Sequence, residues 1–159
     1  MDYPDQKKLQ ELFDYIDGKL IRKKTIGVSK AGSAVGRIGN RSYLVTDIGK
    51  KRCLVHRIVF MWHYGWLPEM IDHINGNRTD NRIENMRPAT KLQNNANASI
   101  RRDNTTGFKG VSINKGKYVA NIRIGGKKVS LGSFETALEA DAAVRVRREE
   151  IHGEYARHK

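Results

Sequence analysis

A single cysteine, Cys53, is all the thiol this 159-residue chain carries. It allows no disulfide within the chain and no multi-cysteine zinc site, and it is compatible with a reducing compartment. Proline is scarce too, and two of the three, Pro68 and Pro88, read as stops for the elements before them. Hydrophobic residues make up 38%, and no apolar run reaches the roughly 18 residues of a membrane span. The opening Met1-Asp2-Tyr3-Pro4-Asp5 is acidic and has no apolar stretch, which argues against a signal peptide. With modest hydrophobicity and 15 glycines, several small cores are expected in place of one large one.

Acidic residues are also in short supply. The 30 lysines and arginines outnumber 17 aspartates and glutamates, for a net charge of +13. The excess is uneven. Residues 1–55 hold twelve basic and six acidic groups, residues 56–100 five and four, and residues 101–159 thirteen and seven. Two basic flanks around a near-neutral centre suit a polyanion gripped on both sides of a working site. A nucleic acid is the expected partner.

The first flank reads as a small β-rich module. A short helix is expected over Gln6–Phe13. Asp17-Gly18 between Leu12–Ile16 and Leu20–Arg22 signals a hairpin, because a tight primed turn needs positive φ. Residues 23–41 are glycine-rich and basic and read as a loop, followed by strands at Ser42–Val45 and Cys53–Val55. From His56 to Gly65, Ile58, Met61, Trp62 and Gly65 follow helical spacing, so this helix should supply the core beneath the centre. Trp62 and Trp66 are assigned to that core, and His56 and His63 are read as packing or capping groups.

The centre is the polar stretch Ile71–Arg87 with the carboxamide cluster Gln93–Asn97. The pattern reads as strand (70–74), polar loop, returning segment (83–87), and a helix from Lys91 to about Ala98 capped by Thr90. Asp72 and His73 are adjacent, so on a strand they face opposite ways. Asn94 and Asn97 share a helix face. A carboxylate plus amide oxygens is a hard-oxygen set suited to Mg2+ or Mn2+. A neutral imidazole can take a proton from water near neutral pH. Together these are the needs of metal-assisted phosphodiester hydrolysis.

His56-Arg57, Trp62, Gly65, Pro68, Asp72-His73, Asn75-Gly76, Asp80-Asn81-Arg82, Asn85-Met86-Arg87, Asn94 and Asn97 resemble, in order, the HNH endonucleases of phage and intron homing enzymes. The resemblance spans about residues 56–97. It implies a ββα-metal core, with His73 as general base, Asp72 as a metal ligand and Asn94 at the position of the second ligand. It counts Asn85 with the catalytic residues as the middle Asn, a brace that holds the loop by hydrogen bonds. Asn95 and Asn97 lie close enough in sequence to stand in for Asn94.

Behind a polar linker at 101–106, three strands are expected over Phe108–Ile113, Lys117–Ile124 and Lys127–Gly132, with period-two alternation in the middle one. Thr136 and Glu139 form a capping-box pattern ahead of a helix to about His152. Phe108-Lys109-Gly110-Val111, Gly116 to Arg123, Leu131-Gly132-Ser133-Phe134 and Thr136-Ala137 resemble the plant Apetala-two/ethylene-response-factor DNA-binding domain over about residues 107–155. Candidate DNA contacts are Lys109, Lys117, Asn121, Arg123 and Lys128. Ser112 and Ser130 replace the Arg and Trp that the family usually places on DNA, which implies a weaker or different sequence preference.

The expectation is therefore an α+β protein: a β-rich DNA-binding arm (1–55), an HNH nuclease core (56–100), a linker (101–106) and an Apetala-two-like DNA-binding domain (107–159), whose three-stranded antiparallel sheet packs on one helix. It would be a homing-type, Mg2+- or Mn2+-dependent DNA endonuclease, a monomer on duplex DNA that nicks one strand. It would have no membrane partner and would work in the cytoplasm of a bacterial host. The alternative from another class is a DNA-binding regulator with an inactive nuclease fold.

Overall fold

A computed structural model describes residues 3–158. Met1 and Asp2, which begin the acidic N-terminal opening, and Lys159, which ends the basic C-terminal segment, lie outside the described residues. The architecture is α+β, with small antiparallel sheets and short helices. No helix among the described residues is long and apolar enough to cross a membrane. The chain forms two compact units, residues 1–91 and residues 92–159.

The first unit starts with α1 (Gln6–Leu12), capped by Asp5, whose carboxylate accepts from the Lys8 amide at 2.8 Å. The chain then turns into the hairpin of β1 (Phe13–Ile16) and β2 (Lys19–Arg22). Both turn residues, Asp17 at φ 43° and Gly18 at φ 78°, are left-handed, as a primed turn requires. Gly18 also has no room to be larger, since a Cβ there would lie 2.9 Å from the Arg82 backbone nitrogen. The hairpin thus seats directly on the polar loop of the centre. Tyr15 adds a second tie, its hydroxyl accepting from the Ile83 amide at 3.0 Å.

Next comes a sheet of β3 (Arg37–Ile38), β4 (Leu44–Ile48) and β5 (Lys51–Leu54). The strand β3 falls inside the basic stretch expected to be a loop. It is two exposed residues long, and pairing with β4 is what makes it a strand. The helix α2 (Val55–Tyr64) follows without a break and ends at Gly65, φ 73°, a left-handed cap. It buries Val55, Ile58, Val59 and Phe60 against Leu9, Phe13, Leu20, Val35, Cys53, Ile71 and Met86. One apolar cluster therefore draws on residues from both sides of position 56. Trp62 packs on it and donates to the Phe13 carbonyl at 3.1 Å. Trp66, expected in the core, is instead half exposed and edge-on to Phe60, because it lies beyond the turn at Gly65. The unit closes with the ribbon of β6 (Met70–His73) and β7 (Met86–Ala89). Pro88 sits within β7 opposite Ile71, a position open to proline because each strand of a two-stranded ribbon has a free edge.

The second unit begins within α3 (Lys91–Ala96). Its sheet has the order β10-β9-β8, from β8 (Val111–Asn114), β9 (Lys117–Ile124) and β10 (Lys127–Phe134). α4 (Ala137–His152) lies on one face, started by a complete capping box between Thr136 and Glu139. The core is small: Val111, Ala120, Ala140 and Val144, flanked by Phe108, Tyr118, Leu131, Phe134 and Ala143. Alanines at 120 and 140 let the helix approach the sheet closely. Gly110 is needed there, since at φ 87° a Cβ would meet the Asn121 carbonyl oxygen at 2.7 Å and Val144 at 2.9 Å.

Candidate active site

The register of the ribbon pairs Asp72 with Arg87 and His73 with Met86. Alternation along β6 turns the two site residues to opposite faces. On one face, Arg87 Nε donates to Asp72 Oδ2 at 2.9 Å, with both side chains nearly withdrawn from solvent. A buried carboxylate needs such a charged partner to offset its desolvation.

On the other face, the His73 imidazole enters a polar nest. Its Nε2 lies 3.0 Å from Asn81 Oδ1, and both residues are buried. The His56 ring stands edge-on at 5.3 Å between centroids, and the Tyr43 ring lies 4.9 Å from His56 and 6.1 Å from His73. Burial pushes the His73 pKa below its ordinary value, against the opposing pull of Asn81, Asp72 and Asp80, so the ring is neutral at neutral pH. Burial, with His73 and Arg57 adding to it, lowers that of His56 to about 3. His56 Nδ1 and Asn81 Nδ2 are buried without a hydrogen-bond partner among the described residues. Each such atom costs about 1–3 kcal/mol, and a fold accepts that where function asks for it.

The loop that carries Asn81 is locked by Asn85. Asn85 Oδ1 accepts from the Asn75 amide at 3.0 Å, and its Nδ2 donates to the Asp80 carbonyl at 2.8 Å and to Asn75 Oδ1 at 3.1 Å. Asp80 takes two bonds from the Arg82 guanidinium, at 2.9 and 2.8 Å, which hold its carboxyl down at about 2. The loop thus has a fixed shape before anything binds.

Asp72, His73 and Asn85 belong to the first unit, while Asn94 and Asn97 belong to the second, Asn94 half-buried within α3 and Asn97 buried just after it. Among the described residues no three His, Cys, Asp or Glu side chains gather to hold a metal by themselves. Within the first unit the donor is the Asp72 carboxylate, a hard oxygen ligand of the kind that suits a divalent cation keeping several waters. His63, the other histidine of α2, is a packing group: its Nδ1 lies 2.8 Å from the Val59 carbonyl oxygen, and its ring meets Tyr15 edge-on.

In the second unit, Asn121 pairs with Ser130 and Arg123 with Lys128 across the sheet, on the face away from Ala120 and Ile122. Lys117, at the start of β9, forms an exposed ion pair with Glu135 at 2.7 Å. Lys109 is placed differently from the expectation of a cation on the DNA-facing sheet. It precedes β8, and its ammonium donates to the carbonyls of Ala96 and Ala98 at 2.6 Å and of Arg157 at 3.2 Å. Burial brings its pKa down to about 8. It ties chain segments together. Phe108–Ile113 reads in the sequence as one continuous strand that would expose Lys109, whereas the strand begins only at Val111.

Sequence reasoning did not find the roles of Asn81 and Tyr43. Asn81 carries no local sequence signal for its role; its near-complete burial in an otherwise more exposed loop is seen only in the fold.

Residues 53–96 match the family model of the HNH endonuclease. The ribbon, His56, His73, Asn81 and the braced loop all fall in this segment, which defines an HNH endonuclease domain. Protein 3.8 of Escherichia phage T7 is 34% identical over 89 residues, covering 55% of this chain and 73% of the phage protein. The chain belongs to the family of that phage protein. No solved structure matches it significantly. An HNH nuclease domain suggests DNA endonuclease activity, and HNH nucleases are generally dependent on a divalent metal.

Proposed function

We propose that the protein is a site-directed, homing-type DNA endonuclease that hydrolyses one phosphodiester of duplex DNA and nicks a single strand. The observation that carries this reading is the buried His73–Asn81 hydrogen bond inside the HNH segment. With an amide oxygen as partner, Nε2 carries the proton and Nδ1 holds the lone pair. His73 is then a general base of fixed orientation and tautomer, kept neutral by burial. Asn81 positions it, and Asn85 holds the loop on which Asn81 rides.

Asp72 with Asn94, or Asn97 in its place, would hold the Mg2+ or Mn2+. When bound, the ion would stabilise charge developing on the leaving 3′-oxygen. Arg87 keeps the Asp72 carboxylate aimed. Residues 1–55 form a DNA-gripping arm, residues 56–100 the ββα-metal core, residues 101–106 a linker and residues 107–159 an Apetala-two-like module. The outward cations of that module's sheet, Arg123 and Lys128 with Asn121 and Lys117, contact DNA. The protein acts as a monomer on duplex DNA in the cytoplasm of a phage's bacterial host.

The test is the nicking of a supercoiled plasmid carrying the DNA that flanks this gene, with Mg2+ and with EDTA. Nicking should need the metal, and His73→Ala should lower the rate by about 10²–10⁴-fold while DNA binding survives. Asn81→Ala should cost about 10–100-fold, as loss of a group that orients a site residue does. A His73→Ala protein that nicks at the wild-type rate sinks the mechanism.

A further inference from the structure

The cations around the His73 nest are not equally available. Arg82 is spent on Asp80 and Arg87 on Asp72. Arg57 donates to the carbonyls of Pro68 and Glu69 and lies over the Tyr3 ring. Arg78 is the exception. It is exposed, and it has no carboxylate partner among the described residues.

Arg78 is nevertheless held in place. Its guanidinium carbon lies 5.1 Å over the centre of the Tyr43 ring, and its Nη1 donates to the Arg41 carbonyl at 2.9 Å. The same Tyr43 ring packs against His56 and His73. An arginine stacked on an aromatic face keeps its in-plane N–H groups free for a second partner. One of its five donors is used, and four remain. Its charge is close enough to His73 to oppose protonation of the imidazole.

The turn that supports it is strained. Arg41 at φ 59° and Ser42 at φ 61° are consecutive left-handed residues, and neither is glycine. Such conformations are held against their preference and cluster at ligand clamps. Here the turn aims both a carbonyl oxygen and an aromatic face at Arg78.

From this we infer that Arg78, stacked on Tyr43 and pinned by the Arg41 carbonyl, is a phosphate clamp that positions the DNA backbone at the His73 centre. The inference rests on the nuclease reading above and adds the group that seats the substrate. The planar fork matches two non-bridging oxygens of one phosphate. Its pre-set geometry lowers the ordering cost when the backbone docks.

Two readouts test it on the full chain. The first is binding of a short mixed-sequence duplex in EDTA, followed against KCl concentration. Arg78→Gln should reduce the slope of log affinity against log salt by about 0.9, the value of one phosphate contact. The second is the nicking rate of the flanking-DNA plasmid at saturating protein. Arg78→Gln should slow it about tenfold or more, because a misplaced backbone reacts poorly even when bound. Arg78→Lys should restore the salt slope but not the rate, since charge alone does not reproduce the fork. Tyr43→Leu, which keeps the arginine but removes its platform, should behave like Arg78→Lys. Unchanged slope and rate in Arg78→Gln overturn the clamp. A reduced slope with an unchanged saturated rate also overturns it, leaving Arg78 an outlying contact. If the wild-type protein binds but never nicks, the nuclease reading fails, and the slope alone then decides whether Arg78 meets phosphate.

Discussion

In the first unit, eleven buried apolar residues gather in one cluster around α2, including the fully buried Leu9, Leu20, Ile58 and Phe60. In the second, the buried cluster is Val111, Ala120, Ala140 and Val144, and polar groups do much of the tying: the capping box at Thr136, the buried Arg148 guanidinium on the Lys109 carbonyl at 2.7 Å, and the Lys109 ammonium on three carbonyls. A fully buried Leu, Ile or Phe contributes about 1.5–3 kcal/mol. The first unit can therefore carry its orphaned His56 Nδ1 and Asn81 Nδ2 more easily than the second carries its own orphaned Asp141 Oδ1. The second has less apolar surplus, so its stability should depend more on close approach and on caps.

Three perturbations break or sharpen this contrast. The largest effect is expected from Phe60→Ala, which should cost about 3–5 kcal/mol. Both tryptophans, Trp62 and Trp66, lie in the first unit, so denaturant melts followed by tryptophan fluorescence report on it directly. Gly110→Ala should cost on the order of 3 kcal/mol through overpacking at a left-handed position. That loss should show in the far-ultraviolet circular dichroism melt and leave the tryptophan transition in place. If both probes shift together, the two units do not unfold separately and the contrast fails. Thr136→Ala should cost about 1 kcal/mol, seen by the same dichroism melt.

Acid bears on the first unit most strongly through His56. In the unfolded chain His56 takes a proton near its ordinary 6.5, while in the fold it resists until about 3. Between those values the unfolded state binds more protons, so stability is fully present above pH 6.5 and falls as the pH drops. Replacing His56 with leucine should flatten the pH dependence of Tm between about 6.5 and 4 when tryptophan fluorescence is followed. An unchanged slope would mean that the buried imidazole is not what acid attacks.

Much of the fold was legible because local chemistry coincides with tertiary structure. Asp17-Gly18 needs left-handed backbone wherever it sits, and it makes the expected hairpin. The alternation in Lys117–Ile124 and the Thr136–Glu139 box act within a few residues of themselves. The rest depends on distant partners. The strand at Arg37–Ile38 has no pattern of its own and exists through β4. Lys109 looks like any surface lysine until the carbonyls of Ala96, Ala98 and Arg157 converge on it. The adjacency of Asp72 and His73 was plain in the sequence. Asn81 reaches His73 from eight residues away, and Tyr43 from the turn that precedes β4, so neither contact has a local signature.

Cys53 bears on how such a molecule can be studied. It is 5% exposed, and burial, with Asp47 adding to it, raises its thiol pKa. A thiol that is both shielded and protonated reacts slowly with alkylating probes. New cysteines placed at the exposed Lys50 and Lys127, neither of which has a left-handed backbone, could be labelled selectively with the native cysteine left in place. Each unit would then carry its own spectroscopic reporter, with the native thiol left alone.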